Sequence, residues 1–351
     1  VSLREVSDPL GPPWSEELQG TFHRHIVESE ILANNPLGDP SRRPLFVYEP
    51  PGGGRGLPSI YLIQGMTGQL DMWMNRNAFE PTIVERIDAL FAGDAPPALV
   101  VFVDAWTSYG GSQFINSAGT GRYMDYLCDE VVAFIDETYR TIPEAGSRGL
   151  TGKSSGGYGA MVVPMLRPDV FGALASHSGD ALFEACYLKD FPETARVLRD
   201  RFDGSFERFF DKLRADSRLE WGPMGAALNV YAMAACYSPD HENPGKARLP
   251  FDIETGRLID EVWAEWLDWD PVRMAPKYAE ALRSMKLIYL DAGRSDEYFL
   301  DLGAQAFAKE LDALDISYEL ELFDGKHGGI SYRYPRAIRA LAEVLSSGVG
   351  S

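Results

Sequence analysis

Apolar residues in this chain fall into short unbroken runs, separated by segments where they recur every three or four positions. The runs 59–65 (Ser-Ile-Tyr-Leu-Ile-Gln-Gly), 98–104, 172–179 and 286–293 lack polar alternation, which predicts strands buried on both faces of a parallel sheet. Between them, 79–91, 123–139 and 156–166 carry apolar residues at helical spacing, as do 300–314 and 334–345 near the end. A further strand is predicted at 318–323. The segments 21–32 and 44–50 precede this regime, alternate and are β-branched, and read as antiparallel strands; the Gly-rich stretch 51–56 after them reads as a turn. Repeated strand–helix alternation predicts an α/β fold, a mostly parallel central sheet with helices on both faces.

The alternation stops from Asp180 to about Ser284, where helical segments such as 193–213 and 258–267 dominate. The organisation expected is a core at 1–179, a helical cap inserted at 180–285, and the rest of the core at 286–351. Trp221, Trp263, Trp266 and Trp269, four of seven tryptophans, fall in the insertion. Helix packing accounts for any one of them, and their concentration suggests an apolar wall over a cleft.

Composition adds mostly exclusions. The 351 residues carry a formal net charge of −19, a field that repels polyanions, so neither nucleic acid nor an anionic membrane is an expected partner. Cys128, Cys186 and Cys236 are an odd number without metal-ligand spacing, which predicts buried thiols and no metal site. The first residues lack the pattern of a secretory signal, so the default location is cytoplasmic; a removed signal would leave the same picture. A homo-oligomer is compatible with the sequence.

Gly152-Lys153-Ser154-Ser155-Gly156 brings in chemistry. Its G-x-S-x-G form matches a nucleophile elbow, a strained strand-to-helix turn that exposes a serine hydroxyl above the sheet. A serine needs a base, and the base needs an acid to orient it. Asp296 follows the strand ending at Gly293 and His327 follows the one ending at Phe323, both at carboxyl ends, where open α/β sheets place their sites. Of five histidines, His23 and His25 lie before the alternation and His241 in a polar loop of the insertion. His177 is the one rival, and it would impose the unusual order serine, histidine, acid; lining the cleft or a core hydrogen bond suits it better. Asp291, Glu297 and Asp301 lie near the same strand end as Asp296. Asp291 falls inside the strand, whereas Asp296 sits in a loop able to reach a histidine, with a helix N-cap as its alternative role. The backbone N–H groups of Ser155 and Met66 are the expected oxyanion donors. Trp106 and Tyr109, in the Gly- and aromatic-rich stretch 104–114, are candidate substrate contacts, together with His177 and Trp221, although turn chemistry explains that stretch equally well.

These residues resemble the esterase D-like branch of the α/β-hydrolases. The resemblance rests on 60–65, on 152–160 (Gly-Lys-Ser-Ser-Gly-Gly-Tyr-Gly-Ala), on Pro168-x-x-Phe171 leading to Ser178-Gly179, on Gly293-x-x-Asp296 and on Gly325-Lys326-His327. It spans about 43–180 and 286–346. Gln64-Gly65 stands where the family commonly has His-Gly, Ser155 where many members have methionine, and Gly328-Gly329-Ile330-Ser331-Tyr332 where an aromatic-rich segment often follows the histidine. The expectation is a serine carboxylesterase acting on neutral small-molecule esters through an acyl-enzyme, with no cofactor. An acyltransferase using the same triad and a silent, binding-only hydrolase fold are the alternatives.

Overall fold

A computed structural model of the chain describes residues 17–76, 79–216 and 222–347. Strands β1 (Thr21–Glu28), β2 (Arg42–Glu49), β3 (Ser59–Ile63) and β4 (Leu99–Val103) are followed by a two-residue-per-strand hairpin, β5 (Asn116–Ser117) and β6 (Gly121–Arg122). Then come β7 (Arg148–Lys153), β8 (Ala173–His177), β9 (Leu287–Gly293) and β10 (Glu319–Phe323). Eight of them form one sheet in the order β1-β2-β4-β3-β7-β8-β9-β10. β2 is antiparallel to both β1 and β4, and every pairing from β4 to β10 is parallel. The fold is therefore the expected α/β type.

The apolar runs became central strands because both of their faces are covered. β3, β4, β8 and β9 are buried at every position, while the edge strand β10 is half-exposed along most of its length. One sheet face packs against helices Ile83–Ala92 and Tyr334–Ser346, with Ile60, Leu62, Ala175 and Tyr289 meeting Ile87, Ile338 and Leu341. The other carries Val132–Tyr139 and Ser155–Leu166. Helix Ser155–Leu166 lies so close that a Cβ on Gly157 would stand 2.7 Å from the Gly179 Cα and one on Gly159 2.9 Å from Ile63.

Between β8 and β9 the described chain is helical: Phe183–Cys186, Phe191–Phe202, Phe206–Ala215, Pro223–Tyr237, Asp260–Leu267, Pro271–Lys277 and Ala279–Arg283. The single segment expected at 193–213 is two helices, divided where Asp203 and Gly204 both adopt positive φ (50° and 72°). Trp263 and Trp266 are buried among Phe191, Tyr187 and Tyr237, and the Trp266 indole N–H donates to Ser238 Oγ at 2.8 Å. These tryptophans consolidate the insertion itself. All three cysteines are free and buried, and burial pushes the Cys128 and Cys236 thiols up to about 12. No described helix is long and apolar enough to cross a membrane.

Beneath the sheet's carboxyl edge lies a buried ionic cluster. His177 Nδ1 and Asp291 Oδ1 are 2.8 Å apart, the Arg333 Nε–H donates to Asp291 Oδ2 at 3.0 Å, and Arg333 also bridges to Glu321 at 2.6 Å. Burial alone would raise the Asp291 carboxyl, and the adjoining His177 and Arg333 overcome that and hold it below its usual value. Removing one member leaves buried charge uncompensated, so Asp291→Ala is expected to cost about 3–5 kcal/mol in urea unfolding; a loss below about 1 kcal/mol would show the cluster to be unimportant to stability.

Candidate active site

Ser154 sits between β7 and helix Ser155–Leu166 at φ 59°, ψ −126°, a conformation that costs an L-residue on the order of 1–3 kcal/mol. Its own N–H holds it there, lying 3.0 Å from His177 O and 3.1 Å from Ser178 O. The flanking glycines are required by contact: a Cβ on Gly152 would be 2.6 Å from both Ile63 O and the Gly156 carbonyl carbon, and one on Gly156 2.5 Å from Ile63 O. No side chain fits at either position, which is the physical content of the G-x-S-x-G spacing.

The loop after β3 wraps close above this turn. A Cβ on Gly65 would fall 3.2 Å from the Ser154 Cβ. Gln64, departing from the family's histidine, lashes the loop from beneath: its Nε2–H donates to Gly68 O at 2.7 Å and, at 3.3 Å, to Asp104 Oδ1. Asp104 in turn pairs with Arg43 at 3.1 Å, and Thr67 N–H donates to Gly110 O at 2.7 Å. Among the described residues neither the Met66 nor the Ser155 amide is used in a hydrogen bond, and Ser155 opens a helix whose first N–H groups have no partner in the helix. Two free donors therefore flank the serine.

The histidine and acid loops are zipped together. Ser295 N–H donates to Gly325 O at 2.9 Å, and a Cβ on Gly293 would lie 2.5 Å from the same oxygen. His327 Nδ1 stands 2.9 Å from Asp296 Oδ2; an ionised carboxylate only accepts, so this contact fixes the proton on Nδ1 and leaves Nε2 as the basic nitrogen. Asp296 Oδ1 accepts the Tyr298 N–H at 2.9 Å, Glu297 accepts the His327 N–H at 3.0 Å, and the Tyr298 ring meets the imidazole edge-on at 4.8 Å between centroids. Burial would raise the Asp296 carboxyl, but the hydrogen bond and the nearby charge of His327 outweigh it and hold the group below its usual value.

Ser154 and His327 open on one cavity of about 460 Å³, within the range of small-molecule sites. Among the described residues no hydrogen bond closes the gap between the serine hydroxyl and the imidazole, a contact that is often loose without substrate. The walls come from Met66, Met72, Tyr187, Tyr298 and Leu300, with Gly225, Ala226 and Asn229 of helix Pro223–Tyr237 contributed by the insertion.

Several expected contacts lie elsewhere. His177 is fully buried and bonded to Asp291, so of its two expected roles the core one is realised and the cleft-lining one is not. Trp106 and Tyr109 do not line this cavity: the Arg43 guanidinium donates to Trp106 O at 2.9 Å, and Tyr109 packs on Phe210 and Tyr231 while its hydroxyl donates to Gly245 O at 2.6 Å. Stretch 104–114 backs the Met66 loop, because its glycines and turns suit close backbone support. Trp221 lies outside the described residues. The pattern gave no sign of Lys153, Asp180 and Tyr187 as cavity residues. Asp180 accepts from Tyr187 Oη at 2.9 Å and Gln113 Nε2 at 3.3 Å, and burial raises its carboxyl. Among the described residues no cluster of three His, Cys, Asp or Glu could hold a metal ion.

The eight-stranded, mostly parallel sheet with its serine turn between strand and buried helix is the α/β-hydrolase fold. More narrowly, residues 40–328 match the family described as "Putative esterase", and the chain belongs to it. Two curated relatives are an uncharacterized protein of Corynebacterium glutamicum (26% identical over 39% of this chain and 32% of its own length) and uncharacterized YbbA of Bacillus subtilis (24%, over 44% and 66%). The chain thus matches about a third and just under two thirds of their lengths. Similar solved structures include a ferulic acid esterase (TM-score 0.59, 16% identity, 94% of this chain and 100% of that one) and an S-formylglutathione hydrolase from Agrobacterium tumefaciens (0.58, 16%, 94% and 98%).

The depressed Asp296 carboxyl carries a pH signature. A group whose folded value is lowered contributes stability that is complete above its unfolded value and is lost as pH falls through the folded one. The stability gap between the wild type and Asp296→Asn in urea titrations is expected to narrow from about pH 5 down to about pH 2. A gap that stays constant over that interval would contradict the assignment.

Proposed function

We propose that the protein is a serine carboxylesterase in which Ser154 is the nucleophile, His327 the general base and acid, and Asp296 the group that orients His327. The observation carrying this reading is the His327–Asp296 hydrogen bond of 2.9 Å in a cavity shared with a serine held at φ 59°. Family membership supports the same bond type, as do the activities named for the ferulic acid esterase and the S-formylglutathione hydrolase of like fold.

The chemistry follows from the geometry. An ester carbonyl lodged between the Met66 and Ser155 amides is polarised by both donors as Ser154 Oγ attacks. His327 Nε2 takes the serine proton, and Asp296 stabilises the imidazolium that forms. Collapse of the tetrahedral intermediate breaks the ester C–O bond, with the proton passing from Nε2 to the departing alcohol. Water then enters, gives its proton to the same nitrogen and attacks the acyl-serine carbonyl, which releases the acid and restores the hydroxyl. Residues 180–285 act as a cap, with helix Pro223–Tyr237 limiting the volume open to the substrate.

Ser154→Ala removes the only atom able to carry the acyl group in this scheme. Its kcat/KM for p-nitrophenyl acetate is expected to fall by about 10⁴-fold or more with the circular-dichroism spectrum unchanged. Turnover within about tenfold of wild type would eliminate Ser154 as nucleophile.

A further inference from the structure

Lys153, the residue immediately before Ser154, has no role in the scheme above. It is half-buried at the end of β7, and its register places it on the same sheet face as its neighbour His177, under helix Tyr334–Ser346. Lys153 lines the cavity, yet its ammonium makes no ion pair or hydrogen bond among the described residues. The other lysine of the cavity, Lys189, is already occupied by Asp190 at 2.8 Å and lies 5.0 Å from the centre of the Tyr298 ring.

The carboxylates around Lys153 do not replace a partner. Asp296, Glu297 and Asp180 attract it only through space, and burial still outweighs them and lowers its ammonium below the usual lysine value. Each is engaged elsewhere: Asp296 with the His327 ring, Glu297 with the His327 amide, and Asp180 with Tyr187 and Gln113. A second donor stands on the same flank. Tyr334 is 3% exposed and lines the cavity, and its hydroxyl has no hydrogen-bond partner among the described residues. A partly desolvated ammonium and an unpaired phenol that line one cavity, each neighbouring His177, are a set of donors lacking an acceptor, the complement of a carboxylate.

We infer that Lys153 and Tyr334 form an anion subsite and that the preferred substrate is an ester bearing a carboxylate close to the scissile bond. This rests on the esterase reading and replaces the neutral esters expected from the sequence with anionic ones. Because Lys153 and Ser154 line the same cavity, an anion held by the ammonium shares the space in which the reacting carbonyl must lie. The carboxylate can belong to the acyl arm or to the leaving alcohol, and paired substrates separate the two: mono-p-nitrophenyl succinate against p-nitrophenyl pentanoate, and p-acetoxybenzoate against p-acetoxybenzamide.

In at least one pair the wild type is expected to prefer the charged ester in kcat/KM. The charged-to-neutral ratio for that pair should fall about 10- to 100-fold in Lys153→Met, the range of a hydrogen bond to a charged group. It should drop by a smaller factor in Tyr334→Phe and be restored towards wild type in Lys153→Arg. Equal turnover of charged and neutral esters, with ratios unmoved by these substitutions, overturns the subsite and leaves the esterase reading standing. No turnover of any of the four, combined with no fluorophosphonate adduct, overturns both.

Discussion

The site depends on one strained residue. Ser154 stays at positive φ because its amide is anchored on the carbonyls of His177 and Ser178 at the end of β8, while Gly152 and Gly156 allow the loop after β3, the strand end and the helix start to meet without side chains between them. That convergence does three things together. It lifts the hydroxyl into the cavity, leaves the Ser155 amide free at a helix start, and sets the Gly65–Met66 loop against the serine. Everything else at the sheet's carboxyl edge either supports this turn or supplies chemistry to it.

Support comes from two sides by different means. On the β3 side, Arg43, Asp104 and Gln64 form a buried polar chain that holds the Gly65–Gly68 loop from below, so a glutamine performs a tethering task through its side-chain amide. On the β9 side, the His177–Asp291–Arg333–Glu321 cluster stiffens the strand ends on which the Asp296 and His327 loops are mounted. Two histidine–aspartate pairs thus occur among the described residues, and access separates them. His177 is fully buried, whereas His327 lines the cavity beside Ser154.

The sheet, its helices and the three residues Ser154, Asp296 and His327 were legible because each has a local signature. Doubly buried strands read as continuous apolar runs, the elbow has glycines at fixed offsets, and loops after parallel strands converge at one edge. The cavity walls had no such signature. Trp263 and Trp266 resemble cleft residues by type, yet large aromatic rings in an inserted helical layer are consumed by that layer's own core. Trp106 and Tyr109 sit in a loop whose glycines serve backbone support. Lys153 occupies a variable position of the G-x-S-x-G motif, and its lack of a partner among the described residues emerges only when every neighbouring carboxylate is assigned. Pairing is long-range information, and spacing along the chain does not carry it.

The central claim is that Ser154 becomes a covalent carrier activated by His327. Reaction of the intact protein with a fluorophosphonate, followed by peptide mass spectrometry, tests it most directly. The account predicts one adduct per chain, located on Ser154, and its loss in His327→Ala. Labelling on another residue, or labelling of Ser154 at an undiminished rate without His327, would contradict it.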